Sequence, residues 1–321
     1  MRRTLLAVLL AAAACGPGSR NGPGDDDGTG GDGGNGGSNV GSNGSDGCGD
    51  DAKLIYVVDD KNILAQFNPQ TKMFARLGTL QCPAGKSTVD PTMPATPFSM
   101  AVDRTAQAYV LYNDDKVYKV DTTQAGLPCT ATSWSTQDNL HEFGMGYSTD
   151  MAGGTTDTLF IAGGADLNGP PTGNANMDSL NTASFSATHV GTITGRPELT
   201  GNADAELWGW FPDVNGNTPQ VAQIDKASGM LVAANTYAES TLDDGTLPKA
   251  WAFGFYGGDY FVFLQLESAI PAQTTVYEVA GPHNMTSTPG TIVSMTPAVA
   301  AGTSLTIVGA GVSTCAPTQI F

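Results

Sequence analysis

Basic residues are scarce in this chain: Lys and Arg number 14 against 31 Asp and Glu, for a formal charge of -17. A surface that tracks nucleic-acid phosphates needs clustered cations. No basic run follows Arg2-Arg3, so nucleic acid is excluded as a partner. Charged residues of either sign make up 14% of the sequence, well under the roughly 25% of an ordinary soluble domain. Histidine occurs three times and no two cysteines lie within a few residues of each other, so zinc-ligand spacing is missing and neither metal nor cofactor is expected. A Gly-x-Ser-x-Gly elbow is also missing, and with it the signature of nucleophilic hydrolysis. From Lys53 onward no window sustains helical periodicity, which excludes a helical fold.

The first fifteen residues read MRRTLLAVLLAAAAC, two arginines followed by an apolar stretch too short to span a bilayer, and are expected to be a signal peptide. Ala12-Ala13-Ala14-Cys15 resembles the lipobox of bacterial lipoproteins, in which the cysteine is lipidated and becomes the new amino terminus. The alternative is an ordinary secretory signal with an incidental cysteine. By the resemblance, Cys15 carries several acyl chains, enough to hold the protein firmly on a membrane. Gly16 in place of Asp implies the outer membrane, on its periplasmic or extracellular face.

Residues 16–52 contain fifteen Gly, one valine and no aromatic side chain. They cannot bury enough apolar surface to offset chain entropy and are expected to form a disordered tether. Asp25-Asp26-Asp27-Gly28 and Gly31-Asp32-Gly33-Gly34 are only faintly similar to calcium loops, without EF-hand spacing or its terminal Glu, so a solvated spacer is the simpler reading. The tether carries seven acids against Arg20, while residues 53–321 carry twenty-four against eleven bases. The expected folded head, 53–321, is therefore acidic in its own right.

With Cys15 lipidated, four cysteines remain, an even number in an exported protein. Cys48 precedes the first strand-like run and Cys315 follows the last, so their pairing would tie the ends of the fold together, leaving Cys82 with Cys129 by elimination. Buried free thiols are the alternative.

Short runs rich in Val, Ile, Tyr, Phe and Trp alternate with Gly, Asp, Asn and Pro clusters, the pattern of many strands joined by turns. Self-comparison finds one five-residue motif, large and small residues alternating, four times: Phe98 to Val102, Phe143 to Tyr147, Trp251 to Phe255 and Val308 to Val312. Further strand-like runs follow, then turns at Asn68, Asp121, Asn181 and Asp225, where an Asx side chain can bond the local backbone. The repeat unit is a four-stranded sheet, and five units arranged radially make an all-β, five-bladed β-propeller. Leu54 to Val58 matches the second strand of the other units, so the missing innermost strand must come from Ile307 to Ser313. That closure independently sets Cys48 beside Cys315. In simple blade topology, however, the loops of Cys82 and Cys129 emerge on opposite faces, and the Pro-rich stretch 82–97 must cross the rim to join them.

The lipobox, the Gly/Asp-rich tether and blades such as LIYVVDDKNILAQFNPQTKMF together resemble surface lipoproteins of myxobacteria; at the level of fold, the head is similar to WD40, NHL and YncE-like propellers. The Trp-Asp and Gly-His signatures are missing. The resemblance implies location and architecture and brings no reaction with it.

Candidate chemistry gathers where the repeat is broken. Arg196-Pro197-Glu198-Leu199-Thr200 stands where the other units carry the apolar motif, and His141-Glu142 immediately precede an innermost strand. Charge at such positions is costly unless paired or solvated, so His141, Glu142, Arg196 and Glu198 are the candidate channel site; a structural ion pair is the competing reading. His189 and His283 read as plain surface residues, and Asp59-Asp60, Asp114-Asp115 and Asp243-Asp244 as solvated turn doublets. Trp208, Trp210, Trp251 and Tyr256 could form a carbohydrate platform, although alternation on strands favours core packing for at least half of them. The expected protein is a monomeric, lipid-anchored binding or scaffold module for an unknown protein or glycan. A lyase or glycosidase using the four channel residues is the first rival, and a structural envelope protein without ligand the second.

Overall fold

The computed structural model describes residues 47–164, 174–212, 218–245, 248–270 and 272–320. Cys15, the leader 1–15 and the tether up to residue 46 lie outside the described residues. The stretch 47–52, read from sequence as the end of the tether, is tied into the head: Gly49 N donates to Arg104 O at 2.8 Å, Cys48 is disulfide-bonded and Ala52 is buried.

Blade 1 opens with β1 (Ile55–Asp59), β2 (Ile63–Asn68) and β3 (Met73–Thr79). Blade 2 holds β4 (Pro97–Val102), β5 (Gln107–Tyr112), β6 (Lys116–Asp121) and β7 (Cys129–Ala131). Blade 3 holds β8 (Glu142–Thr149), β9 (Asp157–Gly164), β10 (Asn174–Leu180) and β11 (Ala187–Thr194). Blade 4 holds β12 (Glu198–Gly201), β13 (Leu207–Phe211), β14 (Gln220–Ile224) and β15 (Leu231–Ala238). Blade 5 holds β16 (Ala250–Tyr256), β17 (Asp259–Gln265), β18 (Thr275–Ala280) and β19 (Ile292–Pro297). A short hairpin, β20 (Val299–Ala300) and β21 (Thr303–Ser304), leads to β22 (Ile307–Gly311).

The last strand completes the first blade. β22 runs antiparallel to β1, pairing Tyr56 with Gly311, Val57 with Ala310 and Val58 with Gly309. The innermost strands β4, β8, β12, β16 and β22 neighbour one another in a closed ring, so the head is a five-bladed propeller. The Cys48–Cys315 bridge, Cα atoms 5.8 Å apart, fastens the two chain segments beside this seam. One device was not expected: β20 pairs in parallel with β3 at Ala300 and Phe74, so the hairpin covers the outer edge of blade 1. An uncovered edge strand is a template for unwanted pairing.

Side-chain volume explains the small residues of the inner strands. A Cβ on Gly144 would lie 2.1 Å from Pro197 O, and one on Gly146 2.7 Å from Leu199 C, both backbone atoms of the adjacent inner strand. Gly309 and Gly311 meet the backbone of β4 at 2.9 Å in the same way. Alternate large residues fill the spaces between blades. Phe67 packs on Phe261 and Phe263 between blades 1 and 5, each at 5.7 Å, and Trp208 on Tyr260 at 4.8 Å between blades 4 and 5. Burying one such side chain contributes about 1.5–3 kcal/mol.

The expected turns form with the expected chemistry. Asn68, Asp121, Asn181 and Asp225 each accept, through a side-chain oxygen, the backbone N–H two residues on, at 2.8–3.0 Å. In blade 5 the β18–β19 connection carries Asn284 in the same role, its Oδ1 accepting from Thr286 N at 2.8 Å, while its Nδ2 donates to Asp259 Oδ1 at 2.7 Å. The Cys82–Cys129 bridge also forms, with Cα atoms 4.9 Å apart. It does so because the chain after Cys82 crosses the flank of blade 2, where Tyr118 Oη donates to Pro83 O at 3.5 Å and Gly85 N to Asp114 Oδ2 at 2.9 Å.

Candidate functional site

The two ends of the axis differ. At the trailing end of the inner strands, Arg104 reaches from the β4–β5 turn of blade 2 to blade 3. There it contacts Asp157 Oδ2 at 3.0 Å, Gly154 O at 2.9 Å and Thr149 Oγ1 at 3.3 Å. Thr314 Oγ1 donates to the same Asp157 oxygen at 2.7 Å, next to the Cys48–Cys315 bridge. This cluster pins blades 2 and 3 to the seam and has its charges matched.

The leading end is polar and half-exposed. Asp115, in the β5–β6 turn of blade 2, has a left-handed backbone (φ 59°) that an Asp tolerates, and its Oδ2 lies 2.9 Å from His141 Nδ1. Glu142 begins β8, and its Oε2 lies 4.0 Å from Arg196 Nη1, just ahead of β12. His141, Glu142 and Arg196 therefore come together with a fourth residue that the sequence did not single out, Asp115. Burial pushes the Glu142 carboxyl up to about 7; Arg196 and His141 oppose that rise and Asp115 adds to it. Asp115 Oδ1 is buried and has no hydrogen-bond partner, an acceptor without a donor. Leaving such an atom unmatched costs about 1–3 kcal/mol.

Glu198 does not share this group. It is 3% exposed, and its Oε2 accepts from Ser99 Oγ of blade 2 at 2.9 Å. Burial holds its carboxyl well above the usual carboxylate range, and the bond from Ser99 opposes that rise. The hydrogen bond joins the inner strands of blades 2 and 4, between which β8 carries Gly144 in place of a larger side chain. Thr200, two residues on, accepts from Phe255 N of blade 5 at 3.1 Å. The polar residues around β12 thus serve two roles: Arg196, ahead of the strand, stands at the mouth, while Glu198 and Thr200 on it tie neighbouring inner strands.

Several side chains stand differently from their sequence reading. Asp59 is buried and caps its own turn, accepting from Lys61 N at 2.9 Å and Ile63 N at 2.6 Å, and Asp115 is engaged by His141; neither is a solvated doublet member. Asp243 and Asp244 do serve an exposed turn, accepting from Gly245 N and Ser268 Oγ. Trp208, Trp210 and Tyr256 are buried in the core and Trp251 packs against it, so they offer no stacking platform. His283 Nε2 lies 3.1 Å from Glu206 Oε2, which also accepts from Trp208 Nε1. His189 stands between two aspartates rather than alone at the surface. These partners lie 11 to 77 residues away in sequence, beyond the reach of local patterning.

No protein-family model matches the chain, and no curated protein matches it. Among solved structures it is similar to a protein from Lactobacillus plantarum, 12% identical, with a TM-score of 0.42, covering 82% of this chain and 72% of that one. Among the described residues no helix is long and apolar enough to cross a membrane.

Proposed function

We propose that this chain is a lipid-anchored outer-surface protein whose propeller is a binding or scaffold module, with its ligand held at the polar mouth formed by Asp115, His141, Glu142 and Arg196. The carrying observation is the convergence of these four groups from the β5–β6 turn, the entry and first residue of β8, and the connection ahead of β12. Arg196 and His141 can donate to a ligand carbonyl or hydroxyl, and the Glu142 carboxyl can accept from a ligand hydroxyl or amide N–H. The acidity of the head argues against polyanions, which leaves neutral glycans and peptides. Lipid anchoring at Cys15 rests on the lipobox resemblance.

The lyase or glycosidase rival draws support from Glu142, whose carboxyl near 7 suits a general acid or base. It is weakened by Glu198, which is engaged by Ser99 instead of standing at the mouth. The test is a glycan array and a secretome pull-down with the compact unit Gly44–Phe321, comparing the parent with Arg196→Ala. The reading expects a ligand whose signal falls at least tenfold in the variant. An unchanged set of bound species would remove the mouth as the site, and turnover of the bound glycan would favour the rival. For the anchor, Cys15→Ala should move the protein from the membrane to the soluble fraction.

A further inference from the structure

On the flank of blade 3, away from the axial mouth, three side chains from three elements meet. Asp178 lies on β10, His189 directly opposite it on β11, and Asp138 in the connection between β7 and β8. His189 Nδ1 is 2.8 Å from Asp138 Oδ2 and 3.2 Å from Asp178 Oδ1. One donor atom from each residue falls within a sphere of mutual distances no greater than 4.8 Å.

The local structure is built to bring them together. The pairing of β10 with β11 shifts register between Met177 and Asp178, a bulge that sets His189 across from Asp178; such bulges re-aim side chains. The arriving loop is fixed by Gln137, whose Nε2 donates to Phe185 O at 2.7 Å and whose Oε1 accepts from Ala187 N at 3.0 Å. Asn176 Nδ2 then donates to Asp138 O at 2.7 Å. Asp138 and Asn139 both hold left-handed backbone, at φ 45° and 62°, which turns the Asp138 carboxylate toward β11.

The hydrogen-bond inventory does not close. Two carboxylates address a single ring nitrogen, which carries at most one hydrogen. Asp178 is fully buried, and its Oδ2 has no hydrogen-bond partner. Two carboxylates packed on one shared N–H are relieved either by a proton or by a cation, and the open side at His189 and Asp138 gives a cation access. His189 and Asp138 remain open to solvent on the other side.

The geometry points to a divalent transition-metal site at Asp138, Asp178 and His189, in which the ion takes the place of the Nδ1 proton and water completes the shell. One imidazole with two carboxylates and an open position matches the ligand set and count of zinc bound by three protein groups. Calcium, which takes six to eight oxygens, is a poor match. The ion would also lock the β7–β8 connection to the edge of blade 3. This site shares no residue with the axial mouth, although Asp138 and His141 belong to the same β7–β8 connection.

Zinc chloride titrated calorimetrically into the untagged full chain provides the test, with calcium chloride as comparison and cobalt as a spectroscopic probe. One zinc equivalent is expected, with no calcium heat and a visible cobalt band of low-symmetry coordination. His189→Gln should weaken zinc at least tenfold and remove the cobalt band, with circular dichroism checking that the metal-free variant is folded. Asp178→Asn should also weaken zinc at least tenfold. Should Asp178→Asn not fold, Asp138→Asn replaces it with the same expectation. Absence of zinc binding in the parent, or a full equivalent retained in His189→Gln, would overturn the assignment.

Discussion

Blades 1 and 4 both depart from the plan of the others, one in its connectivity and the other in its chemistry. Blade 1 is assembled from both ends of the head, yet its inner strand keeps the small-residue pattern, with Gly309 and Gly311 against β4. Blade 4 is continuous in sequence, yet its inner strand replaces that pattern with Glu198 and Thr200, with Arg196 just ahead of it. The first departure closes the ring and is secured by a disulfide and a covering hairpin. The second satisfies its buried polar groups through Ser99 and Phe255 N, and it leaves Arg196 at the mouth. A break in connectivity therefore needs reinforcement at the seam, whereas a break in chemistry needs partners on the neighbouring blades.

Removing the reinforcement should have the largest effect. The Cys48–Cys315 crosslink spans a sequence separation of 267, and on the chain-entropy model its loss costs about 5 kcal/mol. Cys48→Ser/Cys315→Ser should accordingly show a much lower denaturation midpoint, read by tryptophan fluorescence. Next comes the contact that makes room for blade 4. Gly144→Ala drives a Cβ into the backbone at Pro197, where no flexible side chain can yield, and should cost about 3 kcal/mol or more. The same change at Gly126, which has open space but a positive φ, should cost about 1 kcal/mol.

The acidic residues at the axis sharpen the comparison through pH. Glu142 titrates near 7 in the folded protein against an ordinary value of 4.5, so between those values the folded state holds more protons than the unfolded one. Stability then falls as pH rises, by up to about 3 kcal/mol for a shift of this size. Glu198, also raised by burial, acts in the same direction. Melting curves should show a more stable head at pH 5 than at pH 8, and Glu142→Gln with Glu198→Gln should flatten that slope. Arg196→Ala opens a largely buried pair with Glu142 at 4.0 Å, so its melting temperature is measured beside its binding. Its main consequence should be lost ligand binding, since it removes a cation from the mouth.

Much of the architecture is written in local sequence. Alternating large and small residues mark the inner strands because backbones crowd at Gly144 and Gly309, and the Asx turns appear wherever Asn68, Asp121, Asn181 or Asp225 caps a hairpin. The seam was legible because a four-strand unit lacked one member. The candidate mouth was only partly so: His141, Glu142 and Arg196 stand out as interruptions of a repeat, whereas Asp115 looks like any turn residue until the β5–β6 turn is seen beside His141. Knowing that second-to-third-strand turns share an end with the starts of inner strands would have pointed to it. Asp138, Asp178 and His189 gave no sequence signal, since they meet through a bulge and a loop crossing. The β20–β21 hairpin was equally hidden, its strands too short to carry a pattern.

Ring closure is tested most directly by mapping disulfides in the mature protein, through peptide mass spectrometry of a non-reduced digest. Two linked peptide pairs are expected, Cys48 with Cys315 and Cys82 with Cys129. Cys48 joined to Cys82 or Cys129, or found as a free thiol beside a free Cys315, would contradict a propeller whose last strand completes its first blade.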